Sequence, residues 1–151
     1  KPTILILQQK FPPEIAAKVG LAGGIMTTAL KGIGCVGVVS NGPSRDIDEI
    51  RPMKVQYLLG GVTPGHGEMA VHAVNVPVSV AGMDVAPGEI VHMDENGACK
   101  FTAGKLPQVL ENLRALRQEE QERMNRLNQA TTAAQMRAIL GGHSYAPPNK
   151  G

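Results

Sequence analysis

Glycine and proline are unevenly distributed, and that unevenness limits what this chain can fold into. All 18 Gly and 11 Pro lie before residue 108 or within the last eleven positions. In the first region they punctuate short apolar runs, the pattern of brief strands joined by tight turns. Residues 108–140 contain neither, and apolar residues recur there at helical spacing. The pattern predicts an α/β region followed by a helical extension.

Two buried strands anchor the first region. Thr3–Leu7 (TILIL) reads as a buried strand, and Cys35–Ser40 (CVGVVS) is apolar on both faces, as in a sheet covered on both sides. Between them the spacing predicts a short helix over 13–19, with Pro at its first turn, and a second over 25–31. Gly23-Gly24 opens that second helix, and Gly32 and Gly34 stop it. A turn follows at Asn41-Gly42-Pro43, then a short helix over 46–50 that ends before Pro52. Further strands are expected over 55–59 and 71–80, with a flexible Gly-rich loop, 60–67, between them. Asn96-Gly97 reads as a hairpin tip between 90–93 and 98–101. Beyond it, Leu106, Val109, Leu110, Leu113, Leu116, Met124 and Leu127 form one stripe of a long, mixed-charge helix, interrupted by Glu120. A short helix is expected over Ala133–Leu140, and a mobile tail after it. The predicted division is 1–105, 106–140 and 141–151.

Composition excludes several function classes. The chain has 151 residues, 42% of them apolar, enough for one packed domain. A net charge of +2 gives no dedicated DNA-binding surface. Aromatics at 3% leave no base-stacking platform. Two Cys, Cys35 and Cys99, make neither a disulfide framework nor a Cys-based zinc site, which favours a reduced, cytoplasmic compartment. No apolar run approaches the ~18 residues a membrane helix needs, and no signal peptide is expected, because only a five-residue apolar strand follows Lys1-Pro2. Because the first residue is Lys1, a trimmed chain or a fragment is expected.

No H-E-x-x-H, phosphate-binding G-x-x-x-x-G-K-[ST] or G-x-S-x-G motif is present. The informative constellation is Gly23-Gly24 at a helix start, then strand Cys35–Ser40, then Ser44-Arg45-Asp46 just past its carboxyl end. Ligand sites form there in open α/β sheets. The plain reading of Arg45-Asp46 is a loop ion pair or a helix cap. The functional reading gives Arg45 a substrate carboxylate through its planar fork, Asp46 a hard divalent cation, and the amides of Gly24, Ile25 and Met26 an anion at the helix start. His66, in the Gly-rich loop, reads as a surface residue before it reads as a general acid.

Twenty residues separate Gly24 from Arg45, and the string GGIMTTALKGIGCVGVVSNGPSRDIDEI resembles the RraA-like family. PVSVAGMDVAPGEIVHMDENGACKF, over 77–101, is similar to a second family stretch. That family includes 4-hydroxy-4-methyl-2-oxoglutarate aldolases, oxaloacetate decarboxylases and the ribonuclease E inhibitor RraA. The resemblance implies a three-layer α/β/α sandwich of the swivelling phosphohistidine-domain type, here with a long C-terminal helix. It also implies a homotrimer or hexamer with sites between subunits. It further implies a lyase that needs Mg²⁺ or Mn²⁺ and releases pyruvate from an oxo-acid. Arg45 would bind substrate, Asp46 would hold the metal, and the amides of Gly24, Ile25 and Met26 would cradle the pyruvyl carboxylate. The alternative it implies is a non-catalytic regulator that binds a ribonuclease or another protein.

The sequence departs from the family pattern in three places. Gly24 stands where the aldolases carry an acid. Asn41 stands where Asp is frequent. An N-terminal segment that usually precedes the first strand is not represented before Thr3.

Overall fold

The computed structural model describes residues 1–141. The chain forms two compact units, the first Lys1–Ala103 and the second beginning at Gly104. The architecture is mixed α/β with a long C-terminal helix.

The first unit is built on three parallel strands, β1 (Thr3–Leu7), β2 (Cys35–Ser40) and β4 (Gln56–Leu58), in the order β1-β2-β4. Leu5 lies opposite Val38, and Val38 opposite Tyr57. The β1–β2 connection carries α1 (Pro13–Ala16) and α2 (Gly24–Gly32). The β2–β4 connection carries β3 (Pro43–Ser44), α3 (Ile47–Ile50) and a 3₁₀ turn, Arg51–Met53. Parallel neighbours require such crossovers. The core centres on Cys35, fully buried Val38, and Val55, packed by Leu5, Leu30, Met53 and Tyr57. Burying one such aliphatic side chain contributes roughly 1.5–3 kcal/mol.

Beyond β4 the chain forms β5 (Gly61–Val62), paired with β3, and then two antiparallel hairpins. The first joins β6 (Val78–Val80) to β7 (Met83–Val85) through Ala81-Gly82. Both turn residues have positive φ, 50° and 84°, the condition of a type I′ turn. The second joins β8 (Ile90–Asp94) to β9 (Gly97–Phe101). A Cβ built on Gly37, in β2, would lie 2.6 Å from Met93 Sδ in β8. The glycine in CVGVVS is therefore a seat for that methionine.

Four expectations change. The strand expected over 71–80 is confined to Val78–Val80. Val71 and Val74 stay exposed, and Asn75 is left-handed, just ahead of Pro77. The second hairpin turns at Glu95-Asn96, one residue early, because the Asn96 amide donates to Asp94 Oδ1 at 2.8 Å. The helix expected over 46–50 begins at Ile47, since Asp46 has a left-handed backbone.

Finally, the Gly-rich loop is not a loose lid. The Gly20 amide donates to the Gly65 carbonyl at 3.0 Å, and the Thr63 amide to the Ser44 carbonyl at 2.9 Å. A Cβ on Gly65 would overlap the carbonyl oxygen of Lys18. The glycines here serve close backbone approach.

The second unit contains α4 (Leu106–Gln129) and α5 (Ala133–Leu140). Thr132 caps α5: its hydroxyl accepts from the Gln135 amide at 3.2 Å, and the Gln135 side chain accepts from the Thr132 amide at 3.1 Å, a capping box. Ile139 is buried, and Arg126 and Gln129 of α4, with Ala130 just after it, line a depression together with it. No residue of α4 is buried. The expected mobile tail lies outside the described residues, apart from Gly141.

Candidate functional site

Backbone pairing brings the helix start and the Arg-Asp pair together. The Leu21 amide donates to the Pro43 carbonyl at 2.9 Å, and the Arg45 amide to the Ala22 carbonyl at 3.1 Å. Ala22 and Ser44 form a parallel bridge, and the buried Ser44 hydroxyl donates to the Ala22 carbonyl at 2.5 Å. Residues 21–22 thus run beside β3 and deliver Gly23-Gly24 to the carboxyl end of the strands. The Thr27 hydroxyl donates to the Gly23 carbonyl at 2.8 Å and lies 2.6 Å from the Tyr57 hydroxyl. Thr27 has one proton and spends it on Gly23, so Tyr57 donates. Burial pushes the Tyr57 phenol up from its ordinary pKa, against the Thr27 hydrogen bond, which lowers it.

Asp46 adopts φ 59° and ψ 38°, a left-handed conformation that Asp tolerates better than most residues. That corner turns its carboxylate back toward α2. The Gly24 amide donates to Asp46 Oδ2 at 2.9 Å. Asp46 therefore caps a helix that begins 22 residues earlier in the chain and that has no side-chain cap from its own Gly23. Negative charge at this position also suits the helix dipole.

Arg45 is held from two sides. Its Nη1 donates to the Gly20 carbonyl at 2.9 Å, and its Nε lies 3.7 Å from Asp46 Oδ2. The side chains of Arg45 and Asp46 are 23% and 36% exposed, so both remain open to a ligand. One of the five guanidinium donors is committed to Gly20, which leaves donors for an anion.

Glycine at position 23 is a steric requirement of this arrangement. A Cβ there would overlap Asp46 Oδ2 and lie 3.0 Å from Arg45 Nε. At position 24 a Cβ would meet Glu49 Oε2 at 2.5 Å. A carboxylate from α3 thus stands where a side chain at position 24 would begin.

Sequence reasoning singled out Gly24, Ile25, Met26, Arg45 and Asp46, and the structure brings Gly24, Arg45 and Asp46 into one cluster. The Gly24 amide is directed at Asp46. Ile25, the next residue of the helix, is 91% exposed, and Met26 is half-buried. Reading by sequence missed Glu49, and also missed Tyr57 and Thr27 as supports. Glu49 follows Asp46 by three residues, close to one helical turn, and that spacing was the available signal.

Hard divalent cations take oxygen ligands, and Mg²⁺ is commonly held by one or two carboxylates completed by water and substrate. Asp46 and Glu49 fit that donor set. Among the described residues there is no group of three or more His, Cys, Asp or Glu able to hold a metal. His66 is exposed on the pinned loop. His92 lies 3.5 Å from Asp94 on the second hairpin.

The family model for RraA-like proteins (Aldolase/RraA) matches residues 10–99. The chain belongs to the RraA-like family. An uncharacterised protein of Methanocaldococcus jannaschii is 30% identical over 99 residues, covering 65% of this chain and 48% of the relative. A 4-hydroxy-4-methyl-2-oxoglutarate aldolase of Thermus thermophilus is 36% identical over 90 residues, 50% of this chain and 52% of that protein. The solved structure of the RNA-processing inhibitor RraA from Thermus thermophilus superposes with a TM-score of 0.58 at 27% identity, over 66% of this chain and 58% of that one. The chain thus spans about half the length of these two curated relatives. No helix among the described residues is long and apolar enough to cross a membrane.

Proposed function

We propose that this chain carries the substrate-binding half of a divalent-metal-dependent lyase. It would cleave a 4-hydroxy-2-oxo acid of the 4-hydroxy-4-methyl-2-oxoglutarate type, or decarboxylate oxaloacetate, and release pyruvate. The observation that supports this most is the joint placement of Arg45 and Asp46 against the first turn of α2. An aldolase-named relative at 36% identity supports the reaction class. The same reading takes the complete fold as an α/β/α sandwich of the swivelling phosphohistidine-domain type, assembled as a trimer or hexamer in the cytoplasm. It divides the chain into a family domain over 1–105 and a helical extension over 106–140.

Arg45 acts as the anion receptor. The Gly20 carbonyl and Asp46 fix its guanidinium, so little side-chain freedom is lost when a carboxylate binds. The helix-start amides of Ile25 and Met26 add partial positive charge beside it. Asp46 and Glu49 are the residues that would hold Mg²⁺ or Mn²⁺. When bound, the metal supplies Lewis-acid stabilisation of the negative charge that develops on the 2-oxo group. Carbon–carbon cleavage passes that electron pair to the pyruvyl fragment as an enolate, and protonation at its methylene carbon gives pyruvate. In the aldol case the 4-hydroxyl gives its proton to solvent as the bond breaks, and C4 leaves as the carbonyl of a second oxo-acid. In the decarboxylation carbon dioxide departs instead. Arg45 is placed to stabilise the enolate charge without a Schiff-base lysine.

A coupled pyruvate-release assay on both substrates tests this, with Mg²⁺ or Mn²⁺ and then with EDTA. Turnover that needs metal and falls at least about 100-fold in Arg45→Ala and Asp46→Ala is expected, the size of loss typical for a removed charge-stabilising group. Absence of turnover in protein of verified fold rejects the reading. A second reading, a non-catalytic regulator that binds a ribonuclease or other protein, is favoured by Gly24, which lacks the acid the aldolases carry there, and by the similarity to RraA. It predicts recovery of a protein partner by pull-down and no effect of Arg45→Ala on that capture.

A further inference from the structure

We propose that α4 is a self-pairing helix whose occupant is α4 of a second copy of this chain, lying antiparallel to it. The helix has 24 residues, about 36 Å at 1.5 Å per residue. Its apolar seam is open to solvent: Leu110, Leu113 and Met124 are 43%, 49% and 49% exposed. Leu127, at the far end of the seam, is half-buried, and α5 shares a depression with Arg126, Gln129 and Ala130.

The order of residues along the seam identifies the occupant. At alternating steps of four and three it reads Leu106, Leu110, Leu113, Arg117, Glu120, Met124 and Leu127, the spacing of a two-helix interface. Two charged residues occupy its centre. If two copies lay parallel and in register, Arg117 would face Arg117 and Glu120 would face Glu120. Reversing one copy about the point between residues 118 and 119 puts Arg117 opposite the second copy's Glu120, twice. The same reversal puts Leu113 opposite Met124 and Leu110 opposite Leu127. The twofold axis falls within one residue of the middle of α4, so nearly the whole helix is used. Leu116 then flanks the aliphatic stem of the second copy's Arg123.

A seam with opposite charges at its centre and apolar residues on both arms is its own complement in only one direction. A polar pair of this kind sets register and direction at some cost in strength. The interface is isologous, so each α4 takes one partner helix and the pair closes on itself.

Sedimentation equilibrium of the full chain tests the pairing. Glu120→Arg sets Arg117 against a like charge and is expected to halve the particle mass. The swap Arg117→Glu with Glu120→Arg is expected to restore it. Unchanged mass in Glu120→Arg, or failure of the swap to restore the mass, overturns the proposal. Cross-linking in a Cys99→Ser background reads direction and remains decisive if a charge variant fails to fold. Leu113→Cys with Met124→Cys is expected to give a covalent dimer on mild oxidation, and neither single variant to do so. A dimer from Leu113→Cys alone, or none from the pair, overturns antiparallel self-pairing.

Discussion

The two units specify their contacts by opposite means. In the first unit the critical positions lack side chains: Gly23, Gly37 and Gly65 each leave a space that another group fills, namely Asp46 Oδ2, Met93 Sδ and the Lys18 carbonyl. In the second unit the specification is a periodic row of large side chains that remain exposed in a single copy. A close approach through glycine tolerates no added atom. An exposed row tolerates considerable change until something covers it. The lesson is that substitutions of similar chemical size carry very different consequences in the two units.

Mutations can break or sharpen this contrast. The largest effect is expected at Gly65→Ala. Its Cβ meets backbone, which cannot rotate away, and a loss of about 3 kcal/mol or more in denaturant unfolding should follow. Tyr57→Phe removes one donor from a Thr27 that keeps its bond to Gly23, so a loss of about 1 kcal/mol is expected. The same variant carries a pH signature. The Tyr57 pKa is raised in the folded state, so its stabilising contribution is complete below about pH 10 and is lost as pH rises through the folded pKa. Alkaline unfolding should become shallower in the variant.

Ala81→Gly should act in the other direction. Ala81 sits at φ 50°, and glycine relieves that strain, for a gain of about 0.5 kcal/mol in thermal unfolding. Leu113→Ser should change stability by less than about 0.5 kcal/mol when measured at concentrations where the helix is unpaired. A large loss there would show that the row is already covered within one copy.

The smallest effect belongs to the second hairpin. The Asp94 carboxyl is held below its ordinary pKa by the Asn96 amide first, and by His92 among lesser causes. Glu89 is held low by the Ala86 amide and then by Lys100. Their contribution is complete above about pH 4 and is lost as pH falls through the lowered values. Chemical shifts of β8 and β9 should report loosening only in that acid range.

How much was legible in the sequence follows from the same contrast. Strands β1 and β2 and helix α5 were readable because their signals are local: unbroken apolar runs for the strands, and a following Gly-Gly stop for the helix. The 71–77 segment misled because Val71, Val74 and Val76 give it a strand-like composition, yet all three stay exposed. The second hairpin was read one residue late because Asn-Gly is a strong turn signal, and the Asp94–Asn96 side-chain bond outcompeted it. At the site, Arg45-Asp46 stood out as a pair of charges past a strand. That Asp46 caps α2 was not readable, because it depends on a left-handed residue and on a strand bridge between Ala22 and Ser44. For Glu49 the three-residue spacing from Asp46 was the one local signal, and its position beside Gly24 exists only after α3 has packed.

The contact between Gly23 and Asp46 also limits how the sequence can change over time. A side chain cannot be gained at position 23 unless the carboxylate at position 46 withdraws or its corner straightens. Either change would free the Gly24 amide and release one side of Arg45. A lineage that gains a side chain at position 23 must therefore also change position 46 or give up the contact between them.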